Sequence, residues 1–167
     1  AREMVAEGRK VLILVDYLEA HGKIIRDMLE DINAEFLHAK LSSKKRKNLI
    51  HGFRDGLVDC MIATSLADEG LDVPIISGEI LAGGKRGKTK LLQRIGRALR
   101  PHDDKTDARI IDFIDDGKFV INHSIARIAA LKTEPAFQME AIGVPSDRVE
   151  YIKSRVAKAV ARRASED

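Results

Sequence analysis

The chain has 167 residues, 44% hydrophobic and 33% charged, enough for one domain with a real core and too few for two substantial ones. Aromatic residues make up only 4% and tryptophan is absent, which implies an aliphatic core and argues against a surface that grips single strands by base stacking. A net charge of +3 does not by itself identify a polyanionic partner, and no apolar stretch approaches the ~18 residues of a membrane span.

The sequence begins at Ala1-Arg2-Glu3-Met4 with almost no lead-in before the first strand and no visible signal peptide, as expected of a piece of a longer polypeptide. Val11–Val15 does not alternate with polar residues, the pattern of a strand covered on both faces in a parallel sheet. Ile25, Met28, Leu29 and Ile32 recur at helical spacing and predict a helix from about Leu18 to Ile32. Glu35–Ala39 reads as the second strand. A helix from about Ser43 to Phe53 follows, with Ser42 or Ser43 as its N-cap and Gly56 beyond its end. Asp59–Ala63 and Ile75–Leu81 are the next strands. The lone Cys60 can form neither an intrachain disulfide nor a structural zinc site, and reads as a small buried hydrophobe in a reducing, cytoplasmic compartment. A helix from about Thr89 to Arg100 stops at Pro101, and Arg109–Ile114 is the fifth strand. Helices over roughly Lys118–Leu131 and Ser146–Arg163 complete the chain, the last with an apolar stripe of Val149, Ile152, Val156 and Val160 suited to docking. Alternating strands and helices imply an α/β fold with a doubly wound parallel sheet over residues 1–117, and a helical extension over 118–167 packed on the same domain.

Two segments carry chemistry. In Gln93-Arg94-Ile95-Gly96-Arg97-Ala98-Leu99-Arg100, a helical winding sets Gln93, Arg97 and Arg100 within roughly 60° of one another, with Leu92, Ile95 and Leu99 on the far side. Paired guanidiniums on a fixed face suit the charge that spreads over phosphoryl oxygens in a transition state, although a solvated basic face has the same composition. The second segment, Ala63–Pro74, follows the third strand, at the carboxyl end where open parallel sheets bind ligands. It supplies a hydroxyl at Thr64, a turn glycine at Gly70 and a carboxylate at Asp72; local capping by Asp68 and Gly70 is the plainer alternative.

Together these segments resemble motifs V and VI of superfamily 2 helicases and translocases, in their second RecA-like domain. Val11–Asp16 is similar to the motif IV strand, and Leu37–Ser42 with Arg46 and Phe53–Gly56 is similar to the stretch leading into motif V. The resemblance covers about Val11 to Ile114. It implies a RecA-like parallel sheet with helices on both faces, facing an N-terminal RecA-like domain of the same polypeptide that holds most of the ATP and Mg2+ site. It implies Arg97 and Arg100 as arginine fingers on the γ-phosphate and Gln93 as a residue positioning that phosphate or the attacking water. Gly70 and Asp72 would lie near the ribose, and Thr64 would touch the nucleic-acid backbone. Motif VI opens on Gln93 rather than the histidine typical of DEAD-box RNA helicases, which favours DNA over RNA and the DExH groups of repair, recombination and restriction. The alternative from another class is a binding module that keeps the fold and contacts nucleic acid or protein without ATP.

One regularity points elsewhere. Ala82-Gly83-Gly84-Lys85-Arg86-Gly87-Lys88-Thr89 fits a relaxed Walker A pattern, and Ile110–Asp115 could be taken as a Walker B strand. The first glycine is missing, however, and the loop lies between the two segments already assigned. Lys85, Arg86, Lys88 and Lys90 therefore read as a basic loop near nucleic acid or nucleotide, with plain solvation as the competing role. His38 and His51 have no partners at metal spacing, so no metal site is expected.

Overall fold

A computed structural model describes residues 1–64, 73–83, 91–92, 95–96, 98–115, 117–118 and 120–164. Five parallel strands, β1 (Lys10–Val15), β2 (Ala34–Leu37), β3 (Cys60–Thr64), β4 (Ile76–Leu81) and β5 (Arg109–Asp112), form one sheet in the order β2-β3-β1-β4-β5. Each lies where the apolar runs place a strand, but the ends differ. β2 stops at Leu37 rather than Ala39, opposite Ala63, and β5 stops at Asp112 rather than Ile114, opposite Leu81. A parallel strand lasts only as long as its neighbour offers a ladder, which its own hydrophobicity does not record.

The central β1 explains the unbroken apolar run. Val11, Ile13 and Val15 face a cluster with Met4, Leu29, Phe36, Cys60 and Ile62, while Leu12 and Leu14 turn to the other face and are equally buried. Burial pushes the Cys60 thiol up to about 12, so it is an inert core residue.

Among the described residues before β3, three α-helices accompany the strands, and two differ from expectation. A short α1 (Arg2–Ala6) precedes β1 and buries Met4; its five residues are too few for a periodic signal. The helix expected from Leu18 to Ile32 is instead a π-helical turn over Leu18–Gly22 followed by α2 (Lys23–Met28). Gly22 donates to the Tyr17 carbonyl at 3.1 Å, five residues back, and a Cβ at Gly22 would overlap the Phe36 ring. That close approach re-phases the helix. Leu29 and Ile32 still pack on the core, but Met28 is 65% exposed.

The third helix, α3 (Ser43–Arg54), begins where its cap predicts: the Ser42 hydroxyl accepts from the Lys45 amide at 3.4 Å. Gly56, at φ +80°, carries the chain out beyond the Asp55 C-cap. The crossovers from β1 out to β2 and from β2 back to β3 run in opposite senses. Right-handed crossings therefore place α2 and α3 on opposite faces.

The described residues fall into two compact units, one drawn from Ala1–Gly84 and Gln93–Phe113 and the other from Lys85–Leu92 and Ile114–Asp167. In the second, α4 (Ile121–Leu131) and α5 (Ser146–Ala164) pair through Ile121, Ile125 and Ala129 against Ile152 and Val156. Arg155 donates to Asn122 across this pair at 3.0 Å.

At the amino end of the sheet, Arg9 donates to Asp107 through both terminal nitrogens (2.7 and 3.3 Å), to Glu7 (3.0 Å) and to the Ser77 carbonyl (3.2 Å). Arg109 holds Glu7 at 2.7 Å. Hydrogen bonds from Arg9 and Arg109 lower the Glu7 carboxyl, and one from Arg9 lowers Asp107, below the ordinary carboxylate range. Lowered carboxyls contribute stability that is present above their unfolded values, near pH 4, and is lost as pH falls through the folded values. Thermal melts should therefore show a falling midpoint below about pH 4, with a loss that shrinks in high salt because both acids are exposed. A midpoint that holds steady through acid would mean that this network contributes nothing.

Candidate functional site

From β1 the chain passes to β2 on one side, and from β4 to β5 on the other, so the connections diverge between β1 and β4. In open parallel sheets the ligand crevice lies at the carboxyl ends of the strands beside that divergence. Thr64 is at this edge, the last residue of β3, paired with Val15 and 8% exposed. Half-buried Asp16 follows β1 directly, and Gly83 follows β4. A Cβ on Gly83 would come within 2.6–2.9 Å of the Asp16 carboxylate. This glycine of the Walker-like string therefore has a packing cause: the Asp16 side chain occupies the place a larger residue would need.

The arginine-bearing segment is helical at Leu91, Leu92, Ile95, Gly96 and Ala98, and Leu99 donates to the Ile95 carbonyl at 3.1 Å as the helix ends. Its buried residues are Leu91, Ile95 and Ala98, whereas Leu99 is 42% exposed. The inward set is thus 91, 95 and 98 rather than the expected 92, 95 and 99. Gly96 falls within about 60° of Gln93 on a helical wheel, and nothing described lies within 4 Å of where its Cβ would be. Arg100, just past the helix, is exposed.

Lys105 has no motif to announce it. Its ammonium donates to the carbonyls of Ala98 (2.8 Å), Pro74 (2.9 Å) and Ile76 (3.0 Å). Three oxygens thus replace water around a half-buried charge whose pKa burial lowers. The lysine ties the end of the arginine segment to the start of β4. Lys105→Met keeps the stem and removes every donor, so it should cost about 1–3 kcal/mol, the scale of hydrogen bonds to a charged group. Urea denaturation measures it, and a change below about 0.5 kcal/mol would make the clamp incidental.

Of the residues singled out by motif, Thr64 and Arg100 are described and belong to one compact unit. Gln93 and Arg97, Gly70 and Asp72, and Lys85, Arg86 and Lys88 lie outside the described residues. Among the described residues no group of three or more His, Cys, Asp or Glu could hold a metal ion, and no helix is long and apolar enough to cross a membrane.

Residues 1–102 match the helicase conserved C-terminal domain. UvrABC system protein B of Thermus thermophilus is 35% identical over 105 residues, which are 59% of this chain and 16% of that protein. The DNA 3'-5' translocase XPB2 of Sulfurisphaera tokodaii is 36% identical over 78 residues, 47% of this chain and 17% of that protein. The C-terminal domain of the DEAD-box protein Dbp5 has the same fold, with a TM-score of 0.66 at 21% identity, covering 94% of this chain and 88% of that one. The chain spans only 16–22% of the length of curated relatives such as these.

Proposed function

Because this chain belongs to the helicase conserved C-terminal domain family of superfamily 2, whose members act on nucleic acid in ATP-dependent helicases, we propose that it is the second RecA-like domain of a DNA-directed translocase. Its partner is an N-terminal RecA-like domain of the same polypeptide, which holds most of the ATP and Mg2+ contacts. From this side Arg97 and Arg100 bind the γ-phosphate and disperse its charge, and Gln93 positions the phosphate or the attacking water. Gly70 and Asp72 line the ribose edge. Thr64 holds the nucleic-acid backbone, and Lys85, Arg86 and Lys88 add positive charge for it.

The observation that carries this reading is the Lys105 clamp, which holds the end of the arginine segment to Pro74 and the first residue of β4. A change at the phosphates can then move the backbone grip with it. The preference for DNA rests on Gln93 opening its motif and on relatives named for DNA work.

The test uses the complete enzyme and this chain by itself. The isolated chain should hydrolyse no ATP above background; turnover that is lost on Lys88→Ala would mean a true P-loop here. In the complete enzyme, DNA should stimulate turnover more than RNA does. Binding should weaken steeply with salt, because phosphate contacts release counterions. Replacing Lys85, Arg86 and Lys88 with alanine should flatten the salt slope by up to ~0.7–0.9 for each phosphate that is no longer neutralised. Thr64→Ala should uncouple DNA from turnover while basal hydrolysis stays near normal. A binding module without ATP would show the salt slope but no stimulated turnover. Unchanged slopes with normal stimulation would put the nucleic-acid track elsewhere.

A further inference from the structure

At the outer edge of the sheet, away from the crevice at β1 and β4, a pocket of about 610 Å3 opens beside β2. One wall carries Lys23 and Arg26 of α2, the other Lys45, Asn48 and Leu49 of α3, and Glu35, Phe36 and His38 lie between them. Since α2 and α3 cover opposite faces, a pocket lined by both must wrap the sheet edge. β2 pairs with β3 on one side and with no other strand among the described residues, so the outer side of its backbone faces this pocket.

The lining has three chemical parts. Four cations, Lys23, Arg26, Lys40 and Lys45, face two carboxylates, Glu19 and Glu35. Glu19 is already shared by Lys23 (3.3 Å) and Lys40 (4.0 Å), while exposed Arg26 and Lys45 form no ion pair among the described residues. The base of the pocket is apolar: Phe36 lies under the His38 ring at 5.1 Å, with Leu41 and Leu49 beside it. On α2, Ile24 and Met28, one turn apart, are 56% and 65% exposed, so apolar surface continues beyond the rim.

An occupant that satisfies all three parts brings a backbone to pair with the open strand, anions for Arg26 and Lys45, and apolar side chains for the base. A nucleic-acid strand brings the anions alone. It has no amide ladder to offer, and two carboxylates stand among the cations it would need. An extended peptide offers all three, because its successive side chains alternate between faces and can present acids to one wall and apolar groups to the other. Glu35 adds a selection rule: directly opposite it, a neutral or basic residue is tolerated and an acid is not. We propose that the pocket at the β2 edge docks an acidic, extended peptide segment of a partner protein, which adds a strand to the sheet. The site lies at the outermost strand, where His38, Lys40 and Leu41 follow the carboxyl end of β2 on the same sheet edge as Thr64 but two strands from the crevice at β1 and β4, and it does not depend on the function proposed for that crevice.

The test probes are a fluorescein-labelled synthetic peptide of alternating glutamate and phenylalanine or valine with one central serine, its lysine-for-glutamate counterpart, and oligo(dT). Fluorescence anisotropy reads affinity, and hydrogen–deuterium exchange by mass spectrometry reads the β2 amides. The acidic peptide should bind and slow exchange across Ala34–Leu37, whereas the lysine peptide should do neither. Arg26→Glu combined with Lys45→Glu should weaken acidic-peptide binding by about tenfold or more, and should favour the lysine peptide instead. Both substituted residues are exposed, so melting should stay unchanged. The comparison of the two peptides on the unaltered protein does not depend on the variant folding. Equal binding of both peptides, no binding of either, or unaltered β2 exchange would overturn the proposal. Competition by oligo(dT) that is lost in the double variant would assign the pocket to nucleic acid instead.

Discussion

Arg97→Ala in the complete enzyme is expected to lower kcat for ATP hydrolysis by ~10³-fold or more, the scale of an arginine finger. At 1.36 kcal/mol for each factor of ten, that is about 4 kcal/mol of lost transition-state stabilisation. The residue lies between Gly96 and Ala98, which are helical, and Ala98 is held from behind by Lys105. The planar fork of a guanidinium matches the phosphoryl oxygens. Arg97→Lys should therefore restore only a small part of the rate, because a point charge lacks the fork. The KM for ATP and the melting temperature should change much less than kcat. Steady-state ATPase assays with saturating DNA, beside thermal melts of the same variants, separate the outcomes. Intact turnover with a lowered melting temperature would make Arg97 a structural residue.

Phe53→Ala should destabilise the chain by about 3–5 kcal/mol, the range for removing a buried aromatic ring. Phe53 is fully buried at the last turn of α3 and is among the largest sealed side chains of the protein. A cavity there cannot be closed cheaply, because α3 is fixed at its start by the Ser42 cap and at its end by the turn at Gly56. Against a typical total of about 5–15 kcal/mol, the loss is a large share. For a chain of this size it corresponds to a midpoint lower by roughly 6–20 °C. Met28→Ala, at an exposed position that the helical spacing assigned to the core, should stay within about 0.5 kcal/mol. Urea and thermal denaturation of both variants test the pair, and equal effects would contradict the burial that distinguishes them.

Some of this protein is written in near neighbours. The apolar run Val11–Val15 announces a strand buried on both faces, because nothing in it is polar enough for solvent. Ser42 announces the start of α3 and Gly56 its exit, since a cap hydroxyl and a positive φ are properties of a few adjacent residues. The spacing of Gln93, Arg97 and Arg100, and the hydroxyl of Thr64 at a strand end, identify the family and its expected site for the same reason. Other features depend on residues far apart in sequence. The approach of Phe36 to Gly22 turns an expected helix into a π turn and leaves Met28 outside. Lys105 gains its role only because the carbonyls of Pro74, Ile76 and Ala98 converge on it. Asp16 meets Gly83 only because β1 and β4 are neighbours, and the pocket at β2 exists only because that strand is outermost. Periodicity and capping are short-range and survive in a linear string. Strand order and the convergence of distant backbone groups are settled by packing, when the sheet closes on its helices.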